Sequence, residues 1–444
     1  MKLSFPHPIV ILLTFILLAG ASSYFIQSGV YDRVLDLETG REVIVPGSFH
    51  TIEDQNASLY DIALAVPEGI ILGADIVVLI LLLGGAFYVI EKTGALQEGV
   101  ESLIYRFRTK KYLLLYFIGF VFAFCGATIA MQEELIAMAP MFLLLAKKIG
   151  YDIRSIIALA LGSALIGASF SPVNPFGSLL AQTNAELDFQ EGLVFRLIFL
   201  IAAIFLWCTY HIRYGKLKSE SSEVPKLTPK KISVRHSLIL IFTFGGIGAM
   251  AWGIVYKDWG YNEMSALFFV VGVSCGLIGK LGLNGTARAY SAGFSEMIYA
   301  GVIVGLARSV YLVLQDTAII DPLIHAMFVP LESLPVQLAA IGLYISQALI
   351  HIPVPSTSGQ AVLTTPLAVP LMDLLGVSRQ IAVLTYQYAA GMMDLISPTN
   401  GGMMAIIAAA GIKFNHWISY LWKSWLILMG LGLISVLIAL FWFT

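Results

Sequence analysis

The chain alternates long apolar stretches with short polar segments. A bilayer core about 30 Å thick needs about 20 apolar residues in each crossing helix, and nine stretches meet that requirement. They lie near 8–28, 72–93, 153–187, 190–213, 236–256, 263–281, 297–314, 378–413 and 418–443. The first stretch also fits a signal peptide, because Lys2 precedes it, but its continuation through residues 24–26 favours an uncleaved helix. The pattern predicts an all-α polytopic membrane protein.

Two further apolar stretches, near 112–147 and 333–373, are each interrupted midway by polar residues. Basic residues bound the first on both sides: Arg106, Arg108, Lys110 and Lys111 before it, Lys147 and Lys148 after it. Because loops rich in Lys and Arg stay in the cytoplasm, we expect this segment to enter from that side and turn back. Such re-entrant backbone is tolerated where it is buried in protein or lines a water-filled cavity.

The most basic loop sets the predicted orientation. It holds Lys216, Lys218, Lys226, Lys230, Lys231 and Arg235. If the first hairpin does not cross the membrane, this loop is cytoplasmic, which agrees with the rule that loops rich in Lys and Arg stay inside. If that hairpin crosses once, the loop is external, against the rule. The first case gives a cytoplasmic N-terminus, an external polar loop from Asp32 to Glu68, and an external C-terminus after nine crossings.

Composition excludes a soluble protein. Hydrophobic residues make up 58% of the 444 positions and charged residues 12%, whereas soluble domains carry about 25% charged residues. The net charge of −2, without a long basic run, argues against a nucleic-acid partner. Cys125, Cys208 and Cys275 lack CxxC spacing and are read as packing residues, so neither a disulfide nor a metal site is expected. No P-loop, HExxH or dinucleotide fingerprint occurs, and no cofactor is expected beyond a coupling ion.

A short motif occurs twice. Ser171-Pro172-Val173-Asn174 and Ser397-Pro398-Thr399-Asn400 are offset by 226, from 397 − 171, and the same offset relates Pro140 to Pro366 and Gly150 to Gly376. Three matches at one spacing indicate an internal repeat. One crossing near 236–256 separates the two units, so we expect them to be inverted, with a substrate site near the midplane where they meet. The predicted divisions are a first repeat at 1–213, a basic loop and linker helix at 214–262, and a second repeat at 263–444.

The two motifs predict broken helices. Proline lacks an amide hydrogen and clashes with the preceding turn, so Pro172, Pro175 and Pro398 should interrupt the helices at 153–187 and 378–413. Unwound carbonyls in hydrocarbon need partners, which a cation can supply, and the half-helix that starts after Gly401 offers free amides to an anion. The alternative is a pair of proline kinks that only shape packing.

Polar groups at the hairpin tips add candidate ligands. The substrate-binding set comprises Glu133, Glu134, Ser171, Asn174, Ser356, Thr357, Ser358, Gln360, Asp394, Ser397, Thr399 and Asn400. The cation-coordinating set comprises Thr128, Asn174, Asp394 and Asn400. Charges at membrane depth are costly and are functional candidates by default. Arg308 in another apolar span fits either a structural ion pair or a functional role.

Two rival functions fit parts of the sequence. Gly272-Val273-Ser274-Cys275-Gly276 matches the G-x-S-x-G pattern of serine hydrolases, and with His351 it motivates an intramembrane enzyme acting on lipid or peptide. That elbow needs a strand-to-helix turn, whereas here it lies in an apolar span and fits a small-residue packing face. An ion channel is the other rival, which hairpins suited to occlusion make less favourable.

These residues resemble the YfcC branch of the anaerobic C4-dicarboxylate carrier (DcuC-like) family, within the ion transporter superfamily. The resemblance covers nearly the whole chain. It rests on residues 31–33, 45–49 and 132–134, and most specifically on Gly305-Leu306-Ala307-Arg308, Ser358-Gly359-Gln360, Leu375-Gly376-Val377-Ser378-Arg379-Gln380 and Ser397-Pro398-Thr399-Asn400-Gly401. The stretches 25–29 and 354–357 depart from the expected forms, which puts the substrate in doubt more than the fold.

The resemblance implies a two-hairpin fold in which a transport domain moves against a scaffold by an elevator motion, often within a homodimer. Carboxylates and basic amino acids such as arginine and ornithine are associated with this branch. We therefore expect a secondary active transporter of a small organic ion in the bacterial cytoplasmic (inner) membrane. The substrate would be an amino acid, basic and exchanged, or a dicarboxylate, coupled to Na⁺, to H⁺ or to a counter-substrate.

Overall fold

The computed structural model describes residues 8–36, 41–107, 110–174, 176–188, 190–215, 232–257 and 259–443. Its helices in the first half are α1 (Pro8–Ser22), α2 (Leu59–Leu72), α3 (Ala74–Lys92), α4 (Ala95–Arg106), α5 (Lys111–Ile129), α6 (Glu134–Ala137), α7 (Ala139–Ile149), α8 (Ile153–Ile157), α9 (Ser163–Phe170), α10 (Ser178–Asn184) and α11 (Leu193–Tyr214). In the second half they are α12 (Val234–Lys257), α13 (Tyr261–Ile278), α14 (Gly282–Asp316), α15 (Ile320–Phe328), α16 (Val336–Ile350), α17 (Thr357–Leu374), α18 (Gln380–Met393), α19 (Gly401–Ala409) and α20 (Phe414–Trp442). A π-helical turn (Ala158–Gly162) joins α8 to α9, and a 3₁₀ turn (Val329–Ser333) follows α15.

Seven helices in the described part of the chain are long and apolar enough to cross a membrane: α3, α5, the continuous helix Ile153–Phe170, α11, α13, α14 and α20. The prediction of an all-α polytopic membrane protein is confirmed as far as a mostly helical, polytopic one, since four short strands are also present. α5 reaches spanning length although its segment was expected to form one arm of a hairpin. The expected crossings near 8–28 and 236–256 correspond to shorter apolar helical stretches, Ile9–Ser22 and Val234–Met250.

The segment expected to be a polar loop from Asp32 to Glu68 is more structured than predicted. β1 (Gly29–Val30) pairs antiparallel with β4 (His50–Thr51), and β2 (Arg33–Asp36) with β3 (Arg41–Ile44). The helix α2 then begins at Leu59, because Ser58 and Asp61 form a reciprocal capping box. The prediction missed this helix because Pro67 lies inside it and reads as a breaker.

The helices recur at the offset that the motifs indicated. Adding 226 carries α5 onto α16, the end of α7 onto the end of α17, the continuous helix Ile153–Phe170 onto α18, and α11 onto α20. Gly150 and Gly376, which end the second arm in each unit, both have left-handed backbone, with φ of +75° and +68°. Glycine is favoured there because other side chains rarely adopt that conformation.

The first hairpin is joined at its two ends and the second close to its tip. The ammonium of Lys111, at the start of α5, lies 3.3 Å from the carbonyl oxygen of Ile149, at the end of α7. In the second hairpin, the side-chain amide of Gln360 donates to the backbone carbonyl of Gln347 at 2.8 Å and to its side-chain oxygen at 2.7 Å. The chain therefore reverses direction in both segments.

Close packing sets the first hairpin against the first broken helix. A Cβ atom added at Gly126 in α5 would lie 1.9 Å from the carbonyl oxygen of Ala164 in α9. A Cβ atom added at Gly167 would lie 2.1 Å from the carbonyl oxygen of Ala123. The two helices approach this closely only because both positions lack a side chain.

Candidate functional site: a polar cavity at two helix breaks

A cavity of about 440 Å³ lies where the two hairpin tips meet the two breaks between α9 and α10 and between α18 and α19. Ten of the residues named from the sequence line it: Glu133, Glu134, Asn174, Ser356, Thr357, Ser358, Asp394, Thr399, Asn400 and Gly401. These residues come from chain segments more than 200 positions apart. The structure thus brings most of the expected site together in one place.

The other named residues lie outside this lining, and Pro175 lies outside the described residues. Those outside the lining are Thr128, Ser171, Pro172, Gln360, Ser397 and Pro398. The hydroxyl of Thr128 donates to the carbonyl of Phe124 at 2.8 Å, within its own helix. The Gln360 amide is used inside the second hairpin.

The first break is held by hydrogen bonds from its own polar side chains. The hydroxyl of Ser171 donates to the carbonyl of Ala127 in the first hairpin at 2.6 Å. The side-chain oxygen of Asn174 accepts from the backbone amides of Phe176 at 2.9 Å and Gly177 at 3.1 Å. Asn174 therefore satisfies amides that the break leaves without helical partners.

The second break repeats this construction. The hydroxyl of Thr399 donates to the carbonyl of Ile352 in the second hairpin at 2.6 Å. The side-chain oxygen of Asn400 accepts from the backbone amide of Met403 at 2.7 Å, which makes it the N-cap of α19. It also accepts from the Gln132 amide at 2.7 Å, so the first hairpin tip is tied to the second break.

Asp394 is held by groups from both sides. The Asn400 amide nitrogen donates to its Oδ1, and His351 Nε2 lies 2.8 Å from the same oxygen. His351 Nδ1 lies 2.8 Å from the side-chain oxygen of Gln360. Because the Gln360 nitrogen is committed to the carbonyl of Gln347, that oxygen can only accept, and Nδ1 must carry the proton. The second hairpin is thereby joined to α18.

Asp394 is paired with His351, but the other acidic residues of the cavity are not neutralised by Arg308. Glu134 and Asp394 are 7% and 5% exposed, and Glu133 is half-buried beside them. Arg308, half-buried on α14, also lines the cavity. Across the described ranges, no carboxylate lies within 4.0 Å of its guanidinium. The alternative of a structural ion pair for Arg308 is therefore not what the structure contains.

Sequence reasoning missed part of the wall. Trp259 and Tyr261 reach the cavity from the start of α13, Tyr311 from α14 and Gln387 from α18. The sequence could have indicated Gln387, because Gln387, Gly391 and Asp394 have the i, i+4, i+7 spacing of one helical face. The aromatic residues carry no such signal, because tyrosine and tryptophan are common at membrane interfaces.

Ser274 and His351, the two residues that suggested an enzyme, lie far from each other. Met264 lines the cavity from the first turn of α13, and Ser274 lies ten residues further on, about 15 Å along the helix axis. His351 is engaged by Asp394 and Gln360. The pair therefore does not form a nucleophile with its base.

Comparisons with known proteins agree with a carrier rather than an enzyme. The model of the family described as "C4-dicarboxylate anaerobic carrier" (DcuC) matches residues 5–443. An uncharacterized protein of Haemophilus influenzae is 27% identical over 421 residues, which is 90% of this chain and 82% of that one. A protein of Escherichia coli named "Putative basic amino acid antiporter YfcC" is 26% identical over 417 residues, 87% of this chain and 82% of its own.

Two solved transporter structures also align with the chain. The YdaH transporter of Alcanivorax borkumensis has a TM-score of 0.46 at 14% identity, covering 97% of this chain and 98% of its own. MtrF of Neisseria gonorrhoeae, described as belonging to a class of antimetabolite efflux pumps, has a TM-score of 0.46 at 17% identity, covering 99% and 96%.

Proposed function

Because the chain belongs to the C4-dicarboxylate anaerobic carrier (DcuC) family, we propose that it is a secondary active transporter whose substrate binds in the 440 Å³ cavity. It would carry a small organic ion across the bacterial cytoplasmic membrane by alternating access. One observation carries this proposal: both hairpin tips and both helix breaks meet around a single cavity that contains unneutralised charge. Substrate sites of repeat-built transporters commonly lie at such discontinuous helices.

The charges favour a substrate that bears both an amine and a carboxylate. Glu133, Glu134 and Asp394 give the wall three carboxyl groups. Asp394 is paired with His351, which leaves the carboxyl groups of Glu133 and Glu134 against the single guanidinium of Arg308. Arg308 would bind the substrate carboxylate in the fork geometry that guanidinium groups adopt. The acidic excess would bind an ammonium or guanidinium group. A basic amino acid, taken up by exchange, therefore fits better than a dicarboxylate, in line with the name of the Escherichia coli relative.

The coupling ion would be Na⁺ or H⁺, or else a counter-substrate would drive the exchange. Asp394, Asn400 and Asn174 would hold the cation together with unwound carbonyls at the breaks. Each asparagine oxygen already accepts two hydrogen bonds, which use both of its lone pairs, so either one would have to release a donor when it binds the cation. Thr128 would act on this site only through the backbone of α5.

The arrangement in the membrane follows the same proposal. The contact between Lys111 and Ile149 supports a first hairpin whose two ends lie on one side of the membrane, whether it is re-entrant or crosses twice. With a re-entrant hairpin, the repeats are inverted, the N-terminus is cytoplasmic and the C-terminus external. The hairpins and broken helices would form the moving transport domain of an elevator. The helices α1, α3, α12, α13 and α14 would form most of the scaffold, through which a homodimer would assemble.

Proteoliposomes test the proposal. The purified protein would be reconstituted with L-arginine inside, and uptake of external labelled L-arginine, L-ornithine, succinate and fumarate would be measured with and without Na⁺ and a pH gradient. We expect saturable L-arginine uptake that depends on internal L-arginine or on one of the gradients. Uptake of succinate or fumarate without uptake of the amino acids would mean that the site binds dicarboxylates. If none of these solutes accumulates above empty liposomes, the transporter assignment for this cavity is wrong.

A further inference from the structure

A buried arginine lies behind the cavity and is not used by the proposed site. Arg196, in the first turn of α11, is fully buried with 0% exposure. Its guanidinium donates to the side-chain oxygen of Gln387 at 3.0 Å and to the side-chain oxygen of Gln380 at 2.7 Å. It also donates to the backbone carbonyl of Glu191 at 3.0 Å.

The partners of Arg196 are all neutral. Within the ranges that the structure describes, no carboxylate lies within 4.0 Å of its guanidinium. A buried charge normally pairs with an opposite charge, because desolvation costs several kcal/mol per ion. Packing alone would be met by an apolar side chain of similar size. The positive charge at this position therefore needs a reason beyond filling space.

The hydrogen bonds fix the orientation of the Gln387 amide. A guanidinium can only donate, so the atom that faces Arg196 must be the oxygen. The amide nitrogen then faces the carbonyl of Ser171 and donates to it at 2.6 Å. A backbone carbonyl can only accept, so both ends of the amide require the same orientation.

The carbonyl that Gln387 holds is part of the first helix break. Ser171 precedes Pro172, and the last turn of a helix leaves its carbonyls without helical donors. Gln387 lies on α18, in the other repeat, and lines the cavity two helical turns before Asp394. A single amide thus connects the break of one repeat to the cavity wall of the other.

We propose that Arg196 is a positioning residue of the substrate site, which acts through Gln387 to hold the Ser171 carbonyl at the first break. The guanidinium polarises the Gln387 amide and prevents its rotation, so that its nitrogen always faces Ser171. This inference rests on the proposed function for its transport consequence. Its structural consequence, the ordering of residues 171–174, 176 and 177, is independent of any substrate.

The chain supplies a matched pair of variants. Gln387→Glu and Gln380→Glu each place a carboxylate beside Arg196, and each remove a donor to a backbone carbonyl. The lost donor served Ser171 in the first variant and Glu191, at 3.2 Å, in the second. Only the first change reaches the cavity. A purely structural role for Arg196 predicts equal effects, or a gain in stability from the new ion pair in both.

We expect Gln387→Glu to raise the half-saturation concentration for L-arginine uptake at least about tenfold, the effect of losing a hydrogen bond of this strength. Gln380→Glu should stay within about twofold of the parent protein. Arg196→Met should raise the half-saturation concentration about as much as Gln387→Leu does. The double variant Arg196→Met/Gln387→Leu should have no higher half-saturation concentration than the more impaired single variant, because both substitutions break the same chain of hydrogen bonds. Equal effects of the two glutamate variants, or additive effects in the double variant, would overturn the inference.

Hydrogen–deuterium exchange keeps the inference testable without transport. Backbone amides at 171–177 should exchange faster in Gln387→Glu and in Arg196→Met than in Gln380→Glu, all in purified protein of comparable melting temperature. If exchange in that segment is the same in all three, Arg196 does not position the break. If wild-type protein carries no solute while the exchange difference is present, the proposed function fails and the positioning role stands.

Discussion

Asn174 and Asn400 occupy equivalent places in the two repeats, and each places its side-chain oxygen on backbone amides at the start of the half-helix that follows a break. Their amide nitrogens differ. Asn400 donates to the carboxylate of Asp394, whereas Asn174 reaches only the carbonyl of Ala168 at 3.4 Å. Both side-chain oxygens therefore hold backbone amides after a break, but only Asn400 also donates to a charged residue of the cavity.

This difference predicts distinct responses to aspartate. Aspartate caps a helix as well as asparagine does, so Asn174→Asp should retain the fold and much of the uptake. Asn400→Asp would place a carboxylate against Asp394 and should lose uptake at least about tenfold. Initial rates in proteoliposomes, with melting temperatures of both proteins, provide the measurement.

Alanine serves as the control for that comparison. Asn400→Ala removes the N-cap of α19, worth about 1 kcal/mol, and Asn174→Ala removes the acceptor of the Phe176 and Gly177 amides. Both variants should abolish uptake while a folded protein remains. Near-normal transport in both alanine variants would remove the breaks from the proposed site. Equal uptake by the two aspartate variants would show that the contact between Asn400 and Asp394 does not affect transport.

Arg308 should affect binding more than stability. Because it has no carboxylate partner in the described part of the cavity, Arg308→Met breaks no ion pair and should leave the melting temperature within a few degrees. The loss of its bond to a substrate carboxylate should raise the half-saturation concentration about 10- to 100-fold. Arg308→Lys keeps the charge but not the fork and should be intermediate.

Arg33→Met provides the opposite behaviour as a matched control. The Arg33 guanidinium donates to both oxygens of Asp321, at 2.9 and 2.8 Å, and neither residue lines the cavity. Its removal leaves the 3%-exposed Asp321 without a cation and should lower stability by about 1–2 kcal/mol. Substrate affinity should be unchanged. An Arg308→Met protein that melts far below the Arg33→Met protein, with normal affinity, would identify Arg308 as structural.

The parts of the fold that follow from hydrophobic length and repetition could be predicted from the sequence. The offset of 226 located both hairpins, and the two Ser-Pro-x-Asn motifs located the breaks whose residues Asn174 and Asn400 meet at the cavity. These features depend on local chemistry, since proline interrupts a helix wherever it lies inside one. Residues that recur at one spacing then occupy equivalent positions in the two halves of the fold.

The contacts between repeats could not be predicted in the same way. Gln387 lies in an apolar helix and contacts Ser171, which precedes it by 216 positions. Arg196 reads from sequence as a charge near the end of a span. Its burial depends on how α11 packs against α18, which periodicity does not determine. The four strands before α2 were missed because they are two to four residues long, too short for an alternating pattern to be recognised.

The approach of α5 to α9 makes a prediction about packing alone. Gly126→Ala would place a methyl group against the carbonyl of Ala164 and should destabilise the protein by about 1–3 kcal/mol, as overpacking does. Gly430 in α20 has no atom within 4 Å of an added Cβ. Gly430→Ala should therefore be neutral or stabilising, by up to about 1 kcal/mol, because alanine favours helix. Thermal unfolding in detergent compares the two, and a Gly126→Ala protein as stable as Gly430→Ala would contradict the close contact between α5 and α9.

The first hairpin predicts that Lys111 and Ile149 are accessible from the same side of the membrane. Their contact at 3.3 Å requires an even number of crossings between them, although α5 alone is long enough to span. In a variant without Cys125, Cys208 and Cys275, single cysteines at positions 111 and 149 should both react with an impermeant maleimide from the cytoplasmic face only. The variant that lacks all three cysteines should react from neither face and serves as the control for background labelling. Labelling of positions 111 and 149 from opposite faces would mean that the segment crosses once. The basic loop after α11 would then be external, which the distribution of lysine and arginine opposes.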